Sequence, residues 1–540
     1  MRETSSNNTD GERDEKGKDV AVADRSENIF GTTGSATEFF TKPTYRAYQR
    51  ETIEEIEAAY EQGYRHVILD APTGSGKSDI ARAFAFQSYS SHIITVQKLL
   101  QDQYKRDFHE MFVMKGRGAY QCIKGDGYIN QTCAKGPCRL KKQEPCSDCP
   151  YRLAKLMAAG APVVVHNFDS FYYQNTFAGT FSGRKLLIID EAHNISNKFS
   201  EFLSFTINSK NGIIVPELDR LQDYDGFVKK ASASYSEEVK ELESIHELVG
   251  LNTRDLNRMN ELNTLIHRMR RYISEREKDD PAEYVFDYSV YGKDTPKVTF
   301  RPVFVGDYAS RWLFGYGERT LMMSATILDK EMFCRDVGLN PDEAYYIKVP
   351  SVFPAKNRPI VKKYAGKMSY KYIDKSLPRV VEIIQEILDK YPDRKGIIQT
   401  HSEKIANYLR DNLDDERLTF NKDFENPQDM LEVHKHKPGS FIVASGLREG
   451  LDLRGDLSKV QIFCKVPYPS LGDKVVHRRM ELSERWYGWM TCLMFVQSLG
   501  RSVRSDKERA VTYILDSGFG SFHYANREFI PDYITEAIIE

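Results

Sequence analysis

The sequence predicts an α/β protein with two parallel-sheet domains and a helical insertion in the first. Three observations support this fold. Short apolar runs alternate with helical patterns over residues 45–199, the alternation resumes after about residue 334, and two long amphipathic patterns lie between them. Strands that alternate with helices form parallel sheets covered on both faces. The 540 residues also exceed what one hydrophobic core usually holds.

The first alternation begins near Phe39. Apolar residues at helical spacing over 45–60 predict a helix, and a second helix is predicted from Lys98 to about Phe112. Four short apolar runs indicate buried strands, at residues 66–71, 90–96, 162–165 and 186–190. These elements predict the first parallel sheet and its covering helices.

The insertion and the second alternation follow. Residues 232–280 carry two apolar stripes, and Asn252 and Thr253 between them offer a helix break and an N-cap, which predicts two antiparallel helices. In the second domain, strands are predicted at 396–399, 440–443, 460–463 and 511–515, and helices at 376–390 and 402–413.

Composition and charge exclude several classes of protein. The chain is 41% hydrophobic and 29% charged with a net charge of −2, so it is neither a polycation nor a wholly disordered chain. No apolar run approaches the roughly 18 residues that span a bilayer, so no membrane partner is expected. Residues 1–38 are polar, which predicts a disordered tail rather than a secretory signal. We therefore expect a cytoplasmic protein, nucleoid-associated in a prokaryote.

A phosphate-binding loop is predicted between the first strand and the following helix. Residues 71–78 read Ala-Pro-Thr-Gly-Ser-Gly-Lys-Ser, and a glycine-rich turn that opens a helix points successive N–H groups at phosphate oxygens. Lys77 would reach the β- and γ-phosphates of ATP, and the Ser78 hydroxyl would bind Mg²⁺. The nucleotide-binding residues are expected to be Thr73, Gly74, Ser75, Gly76, Lys77 and Ser78.

Two further groups of residues suit nucleotide hydrolysis. Asp190 and Glu191 end the strand at 186–190, where carboxylates face the ligand crevice of a parallel sheet. Asp190 is suited to holding Mg²⁺, and Glu191 to orienting and deprotonating the attacking water. Late in the second domain, Arg501 and Arg504 share one helix face and could stabilise transition-state charge across a cleft.

Five of the eight cysteines lie within one short segment. They are Cys122, Cys133, Cys138, Cys146 and Cys149. The segment has several glycines and few large apolar residues, so a metal centre would supply cohesion that burial cannot. Four thiolates suit either Zn²⁺ or a 4Fe–4S cluster, and the spacing alone does not choose between them.

The order of motifs resembles that of the XPD/DinG-type iron–sulfur DNA helicases of helicase superfamily 2. The resemblance covers about residues 45–522. The matching stretches are Arg46-Ala-Tyr-Gln49, residues 71–78, Thr95 to Gln103, Asp-Glu-Ala-His at 190–193, Ser324-Ala-Thr326, Arg448-Glu-Gly-Leu-Asp452 with Gly455-Asp456, Gln497 to Arg504, and Cys149-Pro-Tyr.

This resemblance implies a 4Fe–4S cluster, with Cys122 as the first ligand and Cys149 as the last. Cys138 with either Cys133 or Cys146 would complete the set. It also implies domain bounds: a tail at 1–38, a first recA-like domain at 39–114, 151–199 and 301–333, a cluster module at 115–150, an arch-like insertion at 200–300, and a second recA-like domain at 334–540.

The implied activity is ATP-dependent movement along single-stranded DNA, 5′ to 3′, with separation of forked duplex at the cluster module by a monomer. Gln49 and Asp452 would contact the nucleotide, Gln497 would join Arg501 and Arg504 in catalysis, and Glu449 would couple nucleotide state to domain closure. Basic candidates for the DNA groove are Lys98, Lys115, Arg117, Lys124 and Arg139. Two alternatives remain: a zinc-stabilised, RNA-directed motor, and a nucleotide-gated DNA-binding protein that does not unwind.

Overall fold

A computed structural model of the chain describes its elements and their packing. The described residues are 28–123, 132–134, 136, 146–209, 212–249, 252–291, 295–446, 453, 455–503 and 508–539. The strands are, in chain order, β1 His66–Asp70, β2 Ser91–Thr95, β3 Phe112–Met114, β4 Val163–Asn167, β5 Arg184–Asp190, β6 Phe205–Asn208, β7 Tyr284–Tyr291, β8 Thr295–Pro302, β9 Gly317–Ser324, β10 Ala344–Lys348, β11 Ile360–Gly366, β12 Gly396–Gln399, β13 Leu418–Phe420, β14 Phe441–Ala444, β15 Val460–Phe463, β16 Val511–Asp516 and β17 Ile538–Ile539.

The α-helices connect these strands. They are α1 Gln49–Glu61, α2 Lys77–Ser88, α3 Lys98–Asp107, α4 Pro150–Gly160, α5 Phe168–Ala178, α6 Ile195–Leu203, α7 Leu221–Val249, α8 Thr253–Arg276, α9 Gly306–Trp312, α10 Lys330–Val337, α11 Ile373–Lys390, α12 Glu403–Asn412, α13 Pro427–His436, α14 Lys474–Leu482, α15 Glu484–Leu499, α16 Phe519–Ala525 and α17 Asp532–Thr535. None of these described helices combines the length and the apolar character needed to cross a bilayer.

The first sheet has seven parallel strands in the order β10-β1-β9-β5-β2-β4-β3. Its central strands are apolar and buried on both faces, as parallel strands covered by helices require. Val67 and Leu69 pack with α1 and α2 on one face, while Ile68 packs with α5 and α6 on the other. The predicted strands of the first domain are confirmed within a few residues.

The first domain extends further along the chain than the sequence predicts. Strand β10 pairs in parallel with β1, with Lys348 opposite Asp70, so the predicted boundary at residue 334 is too early. The second sheet begins only at Ile360. Strand β10 is a half-polar edge strand, Ala-Tyr-Tyr-Ile-Lys, and lacks the apolar run by which the buried strands are recognised.

Residues 28–38 are structured, so the predicted extent of the disordered tail is wrong for this stretch. Phe30 and Ala36 are buried against the helices on one face of the first sheet. The Thr32 hydroxyl donates a hydrogen bond of 2.5 Å to the carbonyl oxygen of Gln87. A few isolated anchoring residues within a polar segment produce no periodic hydrophobic pattern, which explains the error.

The second sheet is also seven-stranded and parallel, in the order β13-β14-β12-β15-β16-β11-β17. Helices α11 and α12 cover one face. On the other face, Phe463 and Ile514 join the core that contains α15 and residues of the first domain such as Ile327. The predicted pair of parallel-sheet domains is therefore confirmed, and the two sheets share a continuous apolar core.

The insertion is a helical hairpin packed on a small sheet. Helices α7 and α8 pack together as predicted, and the Asn252 side chain caps α8 by accepting a 3.0 Å hydrogen bond from the backbone N–H of Asp255. The antiparallel sheet β6-β8-β7 was not predicted. In β8, buried Val298 and Phe300 alternate with half-exposed residues, and this short pattern is easily lost beside two long helices.

The insertion also contacts helix α14 of the second domain. Polar contacts that join them include Arg301 Nη1 to Asp473 Oδ2 at 2.6 Å, Lys474 Nζ to the Phe286 carbonyl at 2.7 Å, and Arg478 Nε to Glu283 Oε1 at 2.5 Å. The insertion is covalently part of the first domain and contacts the second, so it bridges both halves of the molecule.

Candidate nucleotide site between the two sheets

A cavity of about 380 Å³ lies between the two sheets. The carboxyl ends of the first sheet's strands face it, as expected for a ligand site in a parallel sheet. The second sheet faces it with the amino ends of β11, β15 and β16, where Ile360, Gln461 and Thr512 line the wall. Predicted site residues from both halves line this cavity: Thr73, Glu191, Gln497 and Arg501.

The phosphate loop adopts the backbone that its glycines permit. Gly74 and Gly76 have φ angles of 84° and 86°, in the left-handed region that glycine occupies without strain, and α2 begins at Lys77. Lys77 Nζ donates hydrogen bonds to the carbonyls of Ala71 at 2.8 Å and Pro72 at 3.3 Å. Ser75 Oγ is buried with no hydrogen-bond partner in the described part of the chain. This donor fits an acceptor such as a phosphate oxygen.

Gln49, which the resemblance assigns to nucleotide contact, lies against the loop. Its Nε2 donates to the Gly76 carbonyl at 3.1 Å, and its Oε1 accepts from the Arg46 backbone N–H at 2.9 Å. Arg46 itself was not predicted to be functional. Its guanidinium donates a 2.5 Å hydrogen bond to the Gly74 carbonyl, and its place in the Arg46-Ala-Tyr-Gln49 stretch was the available signal.

Asp190 and Glu191 lie at the end of β5, beside the loop. The Tyr104 hydroxyl donates to Asp190 Oδ2 at 3.1 Å and also contacts the Ser78 hydroxyl, so the two predicted Mg²⁺ ligands share a neighbour. Burial raises the pKa of Asp190 to about 6, and the charge of Glu191 acts in the same direction while Lys77 opposes it. A buried carboxylate next to a serine hydroxyl suits Mg²⁺.

Gln497 and Arg501 come to the cavity on and just after helix α15. Gln497 Nε2 donates to Thr326 Oγ1 across the domain boundary at 3.1 Å. Arg501 is only 6% exposed and lines the cavity. Arg504, Glu449 and Asp452 lie outside the described residues.

The loop after β9 connects the two carboxylates to the second domain. His193 Nδ1 lies 2.7 Å from Ser324 Oγ and 3.4 Å from Glu191 Oε2. Two residues further along, Thr326 meets Gln497. The segment from Ser324 to Thr326 therefore links Glu191, through His193, to Gln497 of the second domain.

Two buried contacts that sequence reasoning missed hold α14 and α15 against the first domain. The Trp489 indole N–H donates to the Ile327 carbonyl at 2.8 Å. Arg479 pairs with Asp336 at 2.5 Å, and both side chains are almost fully buried. Their partners are more than 140 residues apart, so no local pattern could reveal them.

Four of the five clustered cysteines are described, and Cys138 lies outside the described residues. Cys122, Cys133, Cys146 and Cys149 are all partly exposed. The bridge between Gln121 and Thr132 brings the first two together. A Cβ atom added at Gly136 would lie 2.7 Å from Cys122 Sγ. The sulfur therefore packs directly against the backbone of this glycine, where a side chain would collide with it. The backbone N–H of Cys149 donates to the Cys146 carbonyl at 3.3 Å, which closes a turn.

The donor set fits a soft metal centre in its chemistry. Burial raises the pKa of Tyr151, two residues after Cys149, and the charge of Cys133 acts in the same direction. Among the described residues, however, no group of three or more His, Cys, Asp or Glu side chains is arranged to hold a metal ion. The cluster ligands therefore remain a prediction.

The basic candidates for a nucleic-acid groove have different surroundings. Lys115 pairs with Asp102 at 2.5 Å, the Arg117 guanidinium lies 5.3 Å from the Tyr151 ring centre, and Lys98 begins α3. Lys124 and Arg139 are outside the described residues.

Two family models match the chain. Residues 42–215 match the res subunit of type III restriction enzymes, and residues 398–534 match the helicase C-terminal domain. The first match contains the phosphate loop and the Asp190–Glu191 pair, and the second contains Gln497 and Arg501. No curated protein sequence matches the chain.

Three of the solved structures with a similar fold carry XPD in their titles. A structure titled XPD helicase superposes with a TM-score of 0.65 at 15% identity and covers 92% of this chain and 100% of its own. The structure of Xpd4 from S. tokodaii gives a TM-score of 0.56 at 14% identity and covers 91% and 99%. A structure titled XPD apo gives 0.57 at 14%, with coverage of 89% and 98%. The TM-scores and the coverage show a shared fold.

Proposed function

We propose that the chain is a superfamily 2, ATP-driven DNA helicase that moves on single-stranded DNA, because a helicase C-terminal family model matches residues 398–534 and the fold is that of the solved XPD structures. The observation that carries the proposal is the cavity between the sheets. Thr73 and Glu191 enter it from one domain and Gln497 and Arg501 from the other. A nucleotide bound there contacts both halves, so hydrolysis changes how they fit together.

The catalytic roles follow from these positions. Lys77 exchanges its bonds to the loop carbonyls for the phosphate oxygens of ATP, to which the Ser75 hydroxyl also donates. Glu191 accepts a proton from the attacking water. Arg501, which enters from the second domain, stabilises charge on the transferring phosphoryl group. Mg²⁺ on Ser78 and Asp190 would neutralise phosphate charge.

Coupling to movement follows from the loop after β9. Glu191, His193 and Ser324 form one chain of contacts, and the same loop reaches Gln497 through Thr326. Loss of the γ-phosphate therefore alters the contact between the domains. Alternate closing and opening would move the single strand 5′ to 3′ in steps.

The cysteine segment is proposed to hold a 4Fe–4S cluster with Cys122, Cys149 and two of Cys133, Cys138 and Cys146. Four thiolates meet the ligand requirement of such a cluster. When bound, the cluster would supply the cross-links that a glycine-rich segment lacks. The stiffened segment would be the wedge at which forked DNA separates.

Strand displacement on forked substrates tests the proposal. The protein should unwind a fork with a 5′ tail faster than one with a 3′ tail, and only with hydrolysable ATP. Stimulation of ATP hydrolysis by RNA rather than DNA would favour the RNA-directed motor. Nucleotide-dependent binding of forks without displacement would instead favour the gated binding protein. Iron analysis of anaerobically purified protein distinguishes the cluster from zinc.

A further inference from the structure

The segment that joins the two domains, residues 349–359, carries an arginine into the nucleotide cavity. The described lining of this cavity includes one carboxylate, that of Glu191, and three arginines: Arg106, Arg358 and Arg501. Arg106 is exposed and ion-paired with the aspartate that follows it, at 3.0 Å. Arg501 has the role proposed above, and Arg358 lies on the joining segment. The lining therefore carries more positive than negative charge, as a site for an anion should.

The joining segment is fixed at both ends, and Arg358 lies at the end held by the second domain. At the first end, the backbone N–H of Val349 donates to the Asp70 carbonyl at 2.9 Å, directly before the phosphate loop. At the other end, the carbonyls on either side of Arg358 accept backbone hydrogen bonds from Ala510 at 3.0 Å and Thr512 at 2.9 Å. Arg358 therefore belongs to the second domain, although its segment starts beside the phosphate loop.

The Arg358 guanidinium is positioned by uncharged groups. Its Nη2 donates to the Phe353 carbonyl at 2.8 Å and to Ser351 Oγ at 3.1 Å. Its central carbon lies 4.3 Å from the ring centre of Tyr533 in α17, a distance typical of a cation–π contact. Its Nε is buried and has no hydrogen-bond partner in the part of the chain that is described. The side chain is thus held in place with one donor unsatisfied.

The charge of Arg358 also lacks a close counter-charge. Within the described ranges, no carboxylate lies at ion-pair distance from it: burial lowers the pKa of Arg358, and Tyr533 and the exposed Glu536 oppose this effect from further away. Burial raises the pKa of Tyr533 to about 12, so its hydroxyl stays protonated at neutral pH and does not neutralise the arginine. A guanidinium taken partly out of water in this way costs free energy, which a bound anion would offset.

We propose that Arg358 binds a phosphate of the nucleotide from the second domain, and that the Tyr533 ring is the platform that holds it there. Guanidinium groups form charge-assisted hydrogen bonds to phosphate oxygens, and such an oxygen would satisfy the unpaired Nε. The inference rests on the proposed helicase function and deepens it, because it makes the joining segment and α17 part of the nucleotide site. Arg358 contributes to binding of the nucleotide in the ground state, whereas Arg501 acts on the transition state.

Equilibrium binding of a fluorescent, non-hydrolysable ATP analogue to the full chain tests this assignment. R358Q should bind the analogue about tenfold more weakly than the wild type, because a charged hydrogen bond to phosphate is lost. In steady-state hydrolysis, R358Q should raise the KM for ATP by a similar factor and leave kcat within about twofold. The matched control is K356Q, which removes the same charge from an exposed position of the same segment and should keep wild-type affinity.

Two variants of Tyr533 test the platform. Y533F keeps the ring and should bind the ATP analogue as tightly as the wild type. Y533L removes the ring and should bind several-fold more weakly, because the cation–π contact that positions Arg358 is lost. Equal weakening in both variants would overturn the role of the ring.

The melting temperature of each variant verifies the fold. If R358Q is unstable, R358K replaces it, because lysine keeps the charge but lacks the planar fork of arginine, and this variant should also bind several-fold more weakly. Wild-type affinity and KM in the folded variant would overturn the inference, leave the helicase proposal intact and restrict Arg358 to shaping the joining segment. A wild-type chain that does not bind the ATP analogue would overturn both.

Discussion

The phosphate loop and the cysteine segment are both rich in glycine, yet they are held in different ways. The phosphate loop follows a buried strand, and the Ala71 backbone N–H donates to the Ser324 carbonyl of the next strand at 2.9 Å. Gln49, at the start of α1, and Arg46, just before it, donate hydrogen bonds to its carbonyls. In the described part of the cysteine segment, the contacts include the bridge between Gln121 and Thr132 and turns such as that of Cys146 and Cys149.

This difference shows that the shape of a site can be set by the fold before any ligand binds, or can depend on the bound ligand. The phosphate loop owes its shape to burial and backbone pairing, so it should persist without nucleotide. The cysteine segment has little apolar area to bury, so a bound metal centre should contribute much of its stability. Damage to one region should therefore leave the other functioning, and variants ranked by their effect on ATP hydrolysis test this independence.

The largest loss of ATP hydrolysis is expected for Arg501→Ala. A guanidinium that stabilises transition-state charge from a second domain contributes a factor of about 10³, so turnover should fall by about that amount while iron content stays unchanged. Steady-state kinetics measures it. Arg485→Ala is the control, because this arginine lies at the start of α15, the helix that precedes Arg501, and its ion pairs are exposed. Wild-type turnover in Arg501→Ala would remove Arg501 from the site.

Lys77→Ala should reduce ATP hydrolysis by at least about a hundredfold, because a charged donor to the phosphates is lost. Its melting temperature should stay close to that of the wild type, since Lys77 contacts only loop carbonyls. Lys105→Ala, at an exposed position of α3, is the matched loss of charge. A large drop in melting temperature would show that the loop is not preorganised as argued above.

Cys149→Ser should abolish iron binding and strand displacement while reducing nucleic-acid-free ATP hydrolysis by less than about twofold. Cys149 is the N-cap of α4, and serine is a favourable N-cap, so the helix should persist. The measurements are iron quantification and the two activity assays.

The control for this prediction is Cys334→Ala. Burial raises the pKa of Cys334 to about 12, so its thiol stays protonated and does not serve as a metal ligand. This variant should keep its iron. Unchanged iron in Cys149→Ser would contradict the assignment of that cysteine.

Tyr120→Phe should have the smallest effect and should not alter ATP hydrolysis. The Tyr120 hydroxyl accepts a 3.2 Å hydrogen bond from the Lys115 backbone N–H at the entrance to the cysteine segment. Its loss should cost about 1 kcal/mol of unfolding free energy, measured by urea denaturation. Because the bound metal centre is expected to dominate the stability of the segment, iron content should be unchanged, and its loss would show that the protein contacts matter more.

The sequence predicted the buried strands and the glycine-rich turn before α2 because both depend on local patterns. A run such as Val67-Ile68-Leu69 can be recognised as apolar without knowledge of its tertiary contacts. The phosphate loop follows this run directly in the sequence. Gln497 and Arg501 were recognised through a motif, and the structure brings them to the same cavity as Thr73.

The remaining features depend on contacts distant in sequence. Strand β10 is recognisable only by its pairing with β1, and Phe30 anchors the first domain from within a polar segment. The buried pair of Arg479 and Asp336 joins two domains. Each of these is determined by tertiary packing, which overrides local propensity.

The pairing of β6 with β8 makes the insertion a replaceable part. Phe205 lies directly opposite Phe300, so the polypeptide leaves the first domain and returns to it on adjacent antiparallel strands, about 5 Å apart. A two-residue turn could join these strands in place of everything between them. Evolution or engineering can thus exchange the insertion for one of another size or specificity and leave the two parallel-sheet domains in place.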